Sequence, residues 1–313
     1  MVIIEGQRAI PEIQNAIVTS GTFDGVHFGH QKILRKIVNT AKELKGKSVV
    51  LTFWPHPRFV LFPEEKTLKL LSTFEEKAKL LEEVGIDYLV KVEFTKEFSQ
   101  LSSETFIQNM LVNKLKTKKL VIGYDHRFGK NRTGSFEYLK ENSDRFGFEV
   151  EEIPRQDIDD VGVSSTKIRQ ALFHGEVDKA AEYLGRFYSI SGTVVKGKQI
   201  GTDLGFPTAN VQVAEEFKLI PKDGSYAVRV EVNGVWHKAM LNIGIRPTVG
   251  GLHRVIETHL FEFEQQIYDQ NIRIEFVKHL RDEKKFDSLD HLKSQLQKDK
   301  MASLEILKEY LNN

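Results

Sequence analysis

Two histidines, His27 and His30, flank a phenylalanine and a glycine in GTFDGVHFGHQKIL, residues 21–34. They stand where a glycine-containing loop gives way to a run with helical spacing. At the first turn of a helix, residues three apart share a face. The free N–H groups and partial positive charge there attract phosphate. Gly29 lets the backbone approach a ligand closely. Such an assembly would hold the phosphate chain of a nucleotide and donate hydrogen bonds to charge developing at a phosphorus centre under attack. The plainer reading is two surface histidines near a helix start.

A second helix start, VSSTKIRQALFHGE from Val163, offers Ser164 or Ser165 as an N-cap. Lys167 and Arg169 fall in its first two turns, where cations oppose the helix dipole. A bound anion resolves that conflict; a plain cap with two solvent-reaching cations is the competing reading. The third informative stretch is GTVVKGKQIGTDLGFPTAN, Gly192 to Asn210. Its glycines suit a loop that wraps phosphates with backbone N–H groups. Thr208 and Asn210 lie two apart, on one face if this part is extended, and their uncharged oxygens suit Mg²⁺ shared with phosphate. No GxxxxGK[ST] motif is present, and a glycine-rich barrel hairpin fits the same residues.

The elements that position these residues follow from periodicity. AIVTS (16–20), KSVVLTF, DYLVKVEF, KKLVIG and FEVEEI read as strands. HQKILRKIVNTAKELKG, TFEEKAKLLEEVG, SSETFIQNMLVNKL and SFEYLKENSDRFG between them have helical spacing, with Ser102 or Ser103 as a cap and Gly46 and Gly85 as stops. Alternation of this kind implies a parallel sheet with helices on both faces and ligands at the carboxyl ends of the strands. GTFDGVHFGH and GYDHRFGKNRTG both follow strands, so both fall at that edge. Near residue 183 the pattern changes. SISGTVVKG, SYAVRVEV, VWHKAMLNIG, HRVIETHLFEF and IRIEFVKHL read as strands with no helix between them, and Asn233-Gly234 marks a hairpin. This suggests a small antiparallel barrel. From Ser288 helical spacing returns at Leu289, Leu292, Leu296, Leu304, Leu307 and Leu311.

GTFDGVHFGHQ, GYDHRFGKNRTG and VSSTKIR, in this order, resemble the adenylyltransferase half of the bacterial bifunctional riboflavin kinase/FMN adenylyltransferase family, the FAD synthetases. GxxLGFPTAN, NIGIRPT, VIETHLFEF and LRDEKKF are similar to its riboflavin kinase half. The resemblance covers nearly the whole chain. It implies a Rossmann-like α/β HxGH nucleotidyltransferase domain over residues 1–182, then a riboflavin kinase domain over 183–313. The second is an antiparallel six-stranded β-barrel with C-terminal helices. It also implies that His27, His30 and Arg169 act in adenylyl transfer and Glu257 as base in the kinase reaction. Gly21, Phe23, Gly29, Asp125, Arg132, Ser165, Thr166, Gly197, Thr208 and Asn210 are its nucleotide-binding positions, with Thr208 and Asn210 on Mg²⁺. His56 and Phe62 of the segment FWPHPRFVLFP, with Phe128 and Arg281, are its flavin positions; His56 and Phe62 fit loop packing as well. His126 departs from the family's GxDFRFG, which puts the aromatic contribution of that loop in doubt.

The activities implied are phosphorylation of riboflavin to FMN by ATP and adenylylation of FMN to FAD with release of pyrophosphate. Riboflavin, FMN and ATP are then the partners, and self-association is left open. The alternatives are a nucleotidyltransferase for another acceptor, and a flavin-binding or regulatory protein retaining only the kinase activity. Composition narrows the field independently. Across 313 residues, 45 Lys and Arg balance 44 Asp and Glu, which gives no basic excess for nucleic acid or a membrane surface. There is no cysteine, so disulfides and thiolate chemistry are excluded and a cytoplasmic setting is expected. The start carries charges and a proline where a signal peptide needs an apolar run, and no stretch reads as a membrane span.

Overall fold

The computed structural model describes residues 1–6, 10–65, 67–124, 126–154, 162–197, 204–248 and 251–310. The chain divides into two units, Met1–Ser165 and Thr166–Asn313.

The first unit is built on a six-stranded sheet: β1 (Val2–Glu5), β2 (Ala16–Ser20), β3 (Lys47–Trp54), β4 (Tyr88–Glu93), β5 (Thr117–Gly123) and β6 (Glu149–Ile153). The order is β1-β4-β3-β2-β5-β6, and every pairing is parallel. β2 is buried along its whole length, as its unbroken apolar start predicts for a central strand covered on both faces. From β2 the chain runs outward through β3 and β4 on one side, then returns to β5 and β6 on the other. The sheet therefore reverses between β2 and β5, and a crevice opens at their carboxyl ends.

Helix α1 (Phe28–Glu43) buries Ile33, Leu34, Ile37, Val38 and Ala41, the residues its spacing places on one face. Burying each large side chain among them stabilises the unit by about 1.5–3 kcal/mol. The helix Phe74–Val84 opens on a capping box between Thr73 and Glu76 and closes at Gly85, whose φ of 96° only glycine adopts freely. Two helices depart from their expected form. SSETFIQNMLVNKL starts at Ser103 with Ser102 as cap, then widens into a π-helix over Ile107–Lys114 that buries Ile107, Met110 and Leu111. SFEYLKENSDRFG splits into Phe136–Glu141 and Ser143–Phe146. At the break, the Asn142 side chain donates to the Tyr138 carbonyl at 2.8 Å, in competition with the backbone.

The helix Ser165–Phe173 begins on the last residue of the first unit; it and Val177–Leu184 precede the closed barrel of the second unit. Its strands are β7 (Tyr188–Val195), β8 (Ala209–Gln212), β9 (Gly224–Val232), β10 (Val235–Thr248), β11 (Gly251–Leu260) and β12 (Asn271–Asp282). They close in the order β10-β11-β8-β7-β12-β9, with all neighbours antiparallel. Asn233 and Gly234 have φ of 52° and 80°, the left-handed pair that a two-residue hairpin needs. Ser288 caps the helix Leu289–Ile306, which ends in a 3-10 turn at Leu307–Tyr310. Leu296, Leu304 and Leu307 pack into the core, whereas Leu289 is exposed and Leu311 lies outside the described residues.

Candidate active sites

In the first unit, His27 forms the N-cap of α1, and its Nδ1 accepts the backbone N–H of His30 at 3.4 Å. In the neutral ring that leaves the proton on Nε2. The two imidazoles stack with centroids 3.6 Å apart and planes 18° apart. Phe23 meets the His30 ring edge-on at 5.2 Å. The loop that carries them is strained: Phe23 and Val26 have φ of 46° and 40°, which is costly for a bulky or β-branched residue.

That strain is held by a buried polar frame. The Asp24 carboxylate accepts the N–H groups of Leu71 at 3.0 Å and Ser72 at 3.2 Å. Gly25 N–H donates to Ser72 Oγ at 3.1 Å, and Lys77 Nζ donates to the Thr22 carbonyl at 2.9 Å. Ser165 Oγ donates to the Asp24 carbonyl at 3.1 Å and so serves the histidine loop; the helix begins at Ser165, which puts Ser164, the other candidate, at the cap position. Lys77 is almost wholly buried, and burial pushes its ammonium down to about 8, with the Asp24 charge opposing the shift.

A cleft of about 840 Å³ opens beside this loop, within the usual range of small-molecule sites. Gly21, Phe23, His30, His56, Phe62 and Phe128 all line it. His56 has a second task, since its Nδ1 accepts the Arg58 N–H at 3.2 Å and caps the short helix Pro57–Leu61. Phe128 is fixed by a paired bridge to Gly134 and by Phe106, with ring centroids 5.5 Å apart. His126 lines the cleft too. Its Nε2 lies 3.1 Å from Ser20 Oγ, a bond from the loop after β5 to the end of β2 that phenylalanine could not make. Thr166 is exposed and Arg169 half-buried on the helix Ser165–Phe173. Asp125 and the side chain of Arg132 lie outside the described residues.

In the second unit, the barrel register assembles a polar row. Glu257 of β11 pairs with Asn210 of β8 on one side and with Asn242 of β10 on the other. Asn242 pairs with Ser225 of β9, and Ser225 with Arg281 of β12. Residues paired in register project to the same side of a sheet. Glu257, Asn242, Ser225 and Arg281 line one pocket of about 150 Å³ together with Thr208. Gly197 is packed tightly against Asn210: a Cβ built on it would lie 2.0 Å from Asn210 Nδ2. Arg281 is already engaged, its Nε and terminal nitrogen reaching the buried Asp299 carboxylate at 3.0 and 2.8 Å, and Ser225 Oγ joins the same carboxylate at 3.2 Å.

The donor set fits a hard divalent cation that borrows most of its ligands from phosphate. Thr208 and Asn210 offer neutral oxygens, with Asn210 paired to Glu257 and Glu283 lining the same pocket, and no group of three His, Cys, Asp or Glu among the described residues forms a cage of its own.

Sequence reasoning did not single out Asp24, Lys77, Asn242 or His259. Asn242 lies inside the NIGIRPT stretch, and the strand alternation that places Glu257 also aligns His259. Nothing in the local sequence marks Lys77, because a lysine in an amphipathic helix is normally solvated.

Comparison with known proteins adds an independent line. A family model described as FAD synthetase matches residues 9–167, and one described as riboflavin kinase matches residues 184–307. The bifunctional riboflavin kinase/FMN adenylyltransferase of Haemophilus influenzae is 38% identical over 302 residues, covering 96% of each chain. The protein of the same name from Listeria monocytogenes is 38% identical over 286 residues, covering 91% of this chain and 90% of its own. A crystal structure from Streptococcus pneumoniae, described as a macrolide-efflux protein, is 31% identical with a TM-score of 0.88 and covers 96% of this chain and 98% of that one. No helix among the described residues of the present chain is long and apolar enough to cross a membrane.

Proposed function

This chain belongs to the bifunctional riboflavin kinase/FMN adenylyltransferase family, and from that footing we propose that it makes FMN and then FAD. We assign residues 1–182 to adenylyl transfer and residues 183–313 to the kinase reaction, in a cytoplasmic enzyme. The observation that carries the reading is that each half has its own polar centre: a stacked histidine pair beside a large cleft, and a polar row around Glu257 across the barrel strands.

In the kinase half, the ribityl hydroxyl oxygen of riboflavin attacks the γ-phosphorus of ATP, and the bond to ADP breaks. Glu257 takes the hydroxyl proton, with Asn210 and Asn242 beside it in register. Thr208 and Asn210 would hold Mg²⁺, which when bound screens the phosphate charge. Gly197 leaves Asn210 the space to face that ligand.

In the adenylyl half, a phosphate oxygen of FMN attacks the α-phosphorus of a second ATP, and pyrophosphate leaves. The nucleophile is anionic at neutral pH, so alignment and charge stabilisation carry the step without a base. His27 and His30 donate hydrogen bonds to the α-phosphoryl oxygens. Gly21, Phe23, Gly29, Asp125, Arg132, Ser165 and Thr166 receive the nucleotide, with Arg169 on the departing pyrophosphate. Phe128, His56 and Phe62 offer faces and edges for the isoalloxazine ring, and Arg281 serves the flavin side of the kinase pocket.

The test is a time course with purified full chain, riboflavin, ATP and Mg²⁺, the flavins being separated chromatographically. FMN followed by FAD is the expected result. A chain that stops at FMN loses the adenylyl assignment, and one that leaves riboflavin untouched loses the kinase assignment.

A further inference from the structure

β11 carries a second polar side chain two residues beyond Glu257. His259 is only 7% exposed, and successive odd positions of a strand face the same way, so Glu257 and His259 share a face and line the same pocket. His259 Nδ1 lies 2.7 Å from the carbonyl oxygen of Pro207. A carbonyl only accepts, so Nδ1 bears the proton. Burial holds the imidazole below its ordinary range, with the nearby Lys300 charge acting the same way and the Pro207 bond opposing it. The ring is wedged edge-on between Phe206, at 5.4 Å, and Phe261, at 5.6 Å.

Pro207 immediately precedes Thr208, and the ladder between β8 and β11 begins only at Ala209, opposite Thr258. Thr208 therefore stands one residue beyond the paired backbone. Pro207 brings no N–H of its own to anchor this end. The His259 bond supplies the missing tether, and it comes from the strand that carries Glu257.

We propose that His259 is a positioning residue for phosphoryl transfer: its Nδ1–H fixes the Pro207 carbonyl and thereby sets Thr208 relative to Glu257. The proposal rests on the kinase reading of the second unit.

The test compares His259→Phe, which keeps ring and bulk but has no donor, with His259→Asn, whose amide nitrogen takes the place of Nδ1. Both are full-length and assayed for FMN formation across Mg²⁺–ATP concentrations. FAD formation from supplied FMN is followed in the same preparations. The phenylalanine variant is expected to lose about tenfold or more in kcat/KM for FMN formation, with a raised Mg²⁺–ATP requirement, as for one broken buried hydrogen bond. The asparagine variant should recover most of that loss, and FAD formation should be unaffected in both. Wild-type FMN formation by the phenylalanine variant overturns the proposal. So does an asparagine variant as impaired as the phenylalanine one, since bulk rather than the donor would then matter. A wild-type chain that makes no FMN overturns the kinase reading itself and takes this role with it.

Discussion

Asn210 of β8 stands opposite Glu257 of β11 in antiparallel register, so the amide and the carboxylate project to the same side of the barrel. The neighbouring Glu257–Asn242 pair completes a carboxylate held between two neutral amides. Neither asparagine adds charge, which leaves Glu257 as the single acidic member of the row.

Glu257→Gln keeps the shape of that row and removes the proposed proton acceptor. FMN formation should fall by about 10²–10⁴-fold in kcat, the usual worth of a general base. FAD formation from supplied FMN should stay at the wild-type rate in the same assay. Loss of both activities together would mark a folding defect, which circular dichroism would register.

Gly197→Ala places a methyl group 2.0 Å from Asn210 Nδ2 and 2.6 Å from its Cγ, so the amide must swing away. The expected signature is a several-fold rise in KM for Mg²⁺–ATP in the kinase reaction, with a smaller change in KM for riboflavin. Steady-state kinetics with each substrate varied separately checks it.

His27→Ala and His30→Ala each remove a donor at the start of α1. Each should lower kcat for FAD formation by about 10²–10³-fold, comparable with the loss of one oxyanion donor. His27→Ala should also cost stability of about 1 kcal/mol, because it deletes the N-cap acceptor for His30 N–H. FMN formation should persist in both variants, and product chromatography distinguishes the two steps.

Lys77 makes stability depend on pH. Its ammonium is pushed down to about 8 in the folded chain from an ordinary value of 10.5. Between these values the unfolded chain binds the extra proton and the folded chain does not. Stability contributed through this group therefore rises with pH across that window, and its burial penalty is fully present below about pH 8. Lys77→Met should remove that rise. Urea unfolding of wild type and variant between pH 7.5 and 10 should show the difference in their stabilities shifting in favour of wild type as pH increases.

Much of the architecture was legible because it rests on local patterns. The buried run of β2, the one-sided apolar face of α1 and the Asn233-Gly234 turn each state their role within a few residues. Two strands were not visible for the same reason. β1 buries only Ile4 of its four residues and gains its place from pairing with β4, more than eighty positions away. β8 is four residues long, follows a glycine-rich stretch of sequence and is defined by its partners β7 and β11. Among the candidate site residues, His27, His30, Thr208, Asn210 and Glu257 lie in motifs. The frame beneath them does not. Asp24 lies inside the histidine motif with nothing local to give it a role, and Lys77 lies about fifty residues from the histidines; only the tertiary fold reveals that a carboxylate and an ammonium are buried there to hold a strained loop.

The closure of the barrel bears on the order in which the two halves are completed on the ribosome. The parallel sheet has its last strand once Ile153 has emerged. The barrel cannot seal until β12 has been synthesised through Asp282, because β12 bridges β7 and β9. Domains generally fold as units, the N-terminal one first. Translation therefore runs opposite to the reaction order in this chain: the half that consumes FMN is completed before the half that makes it.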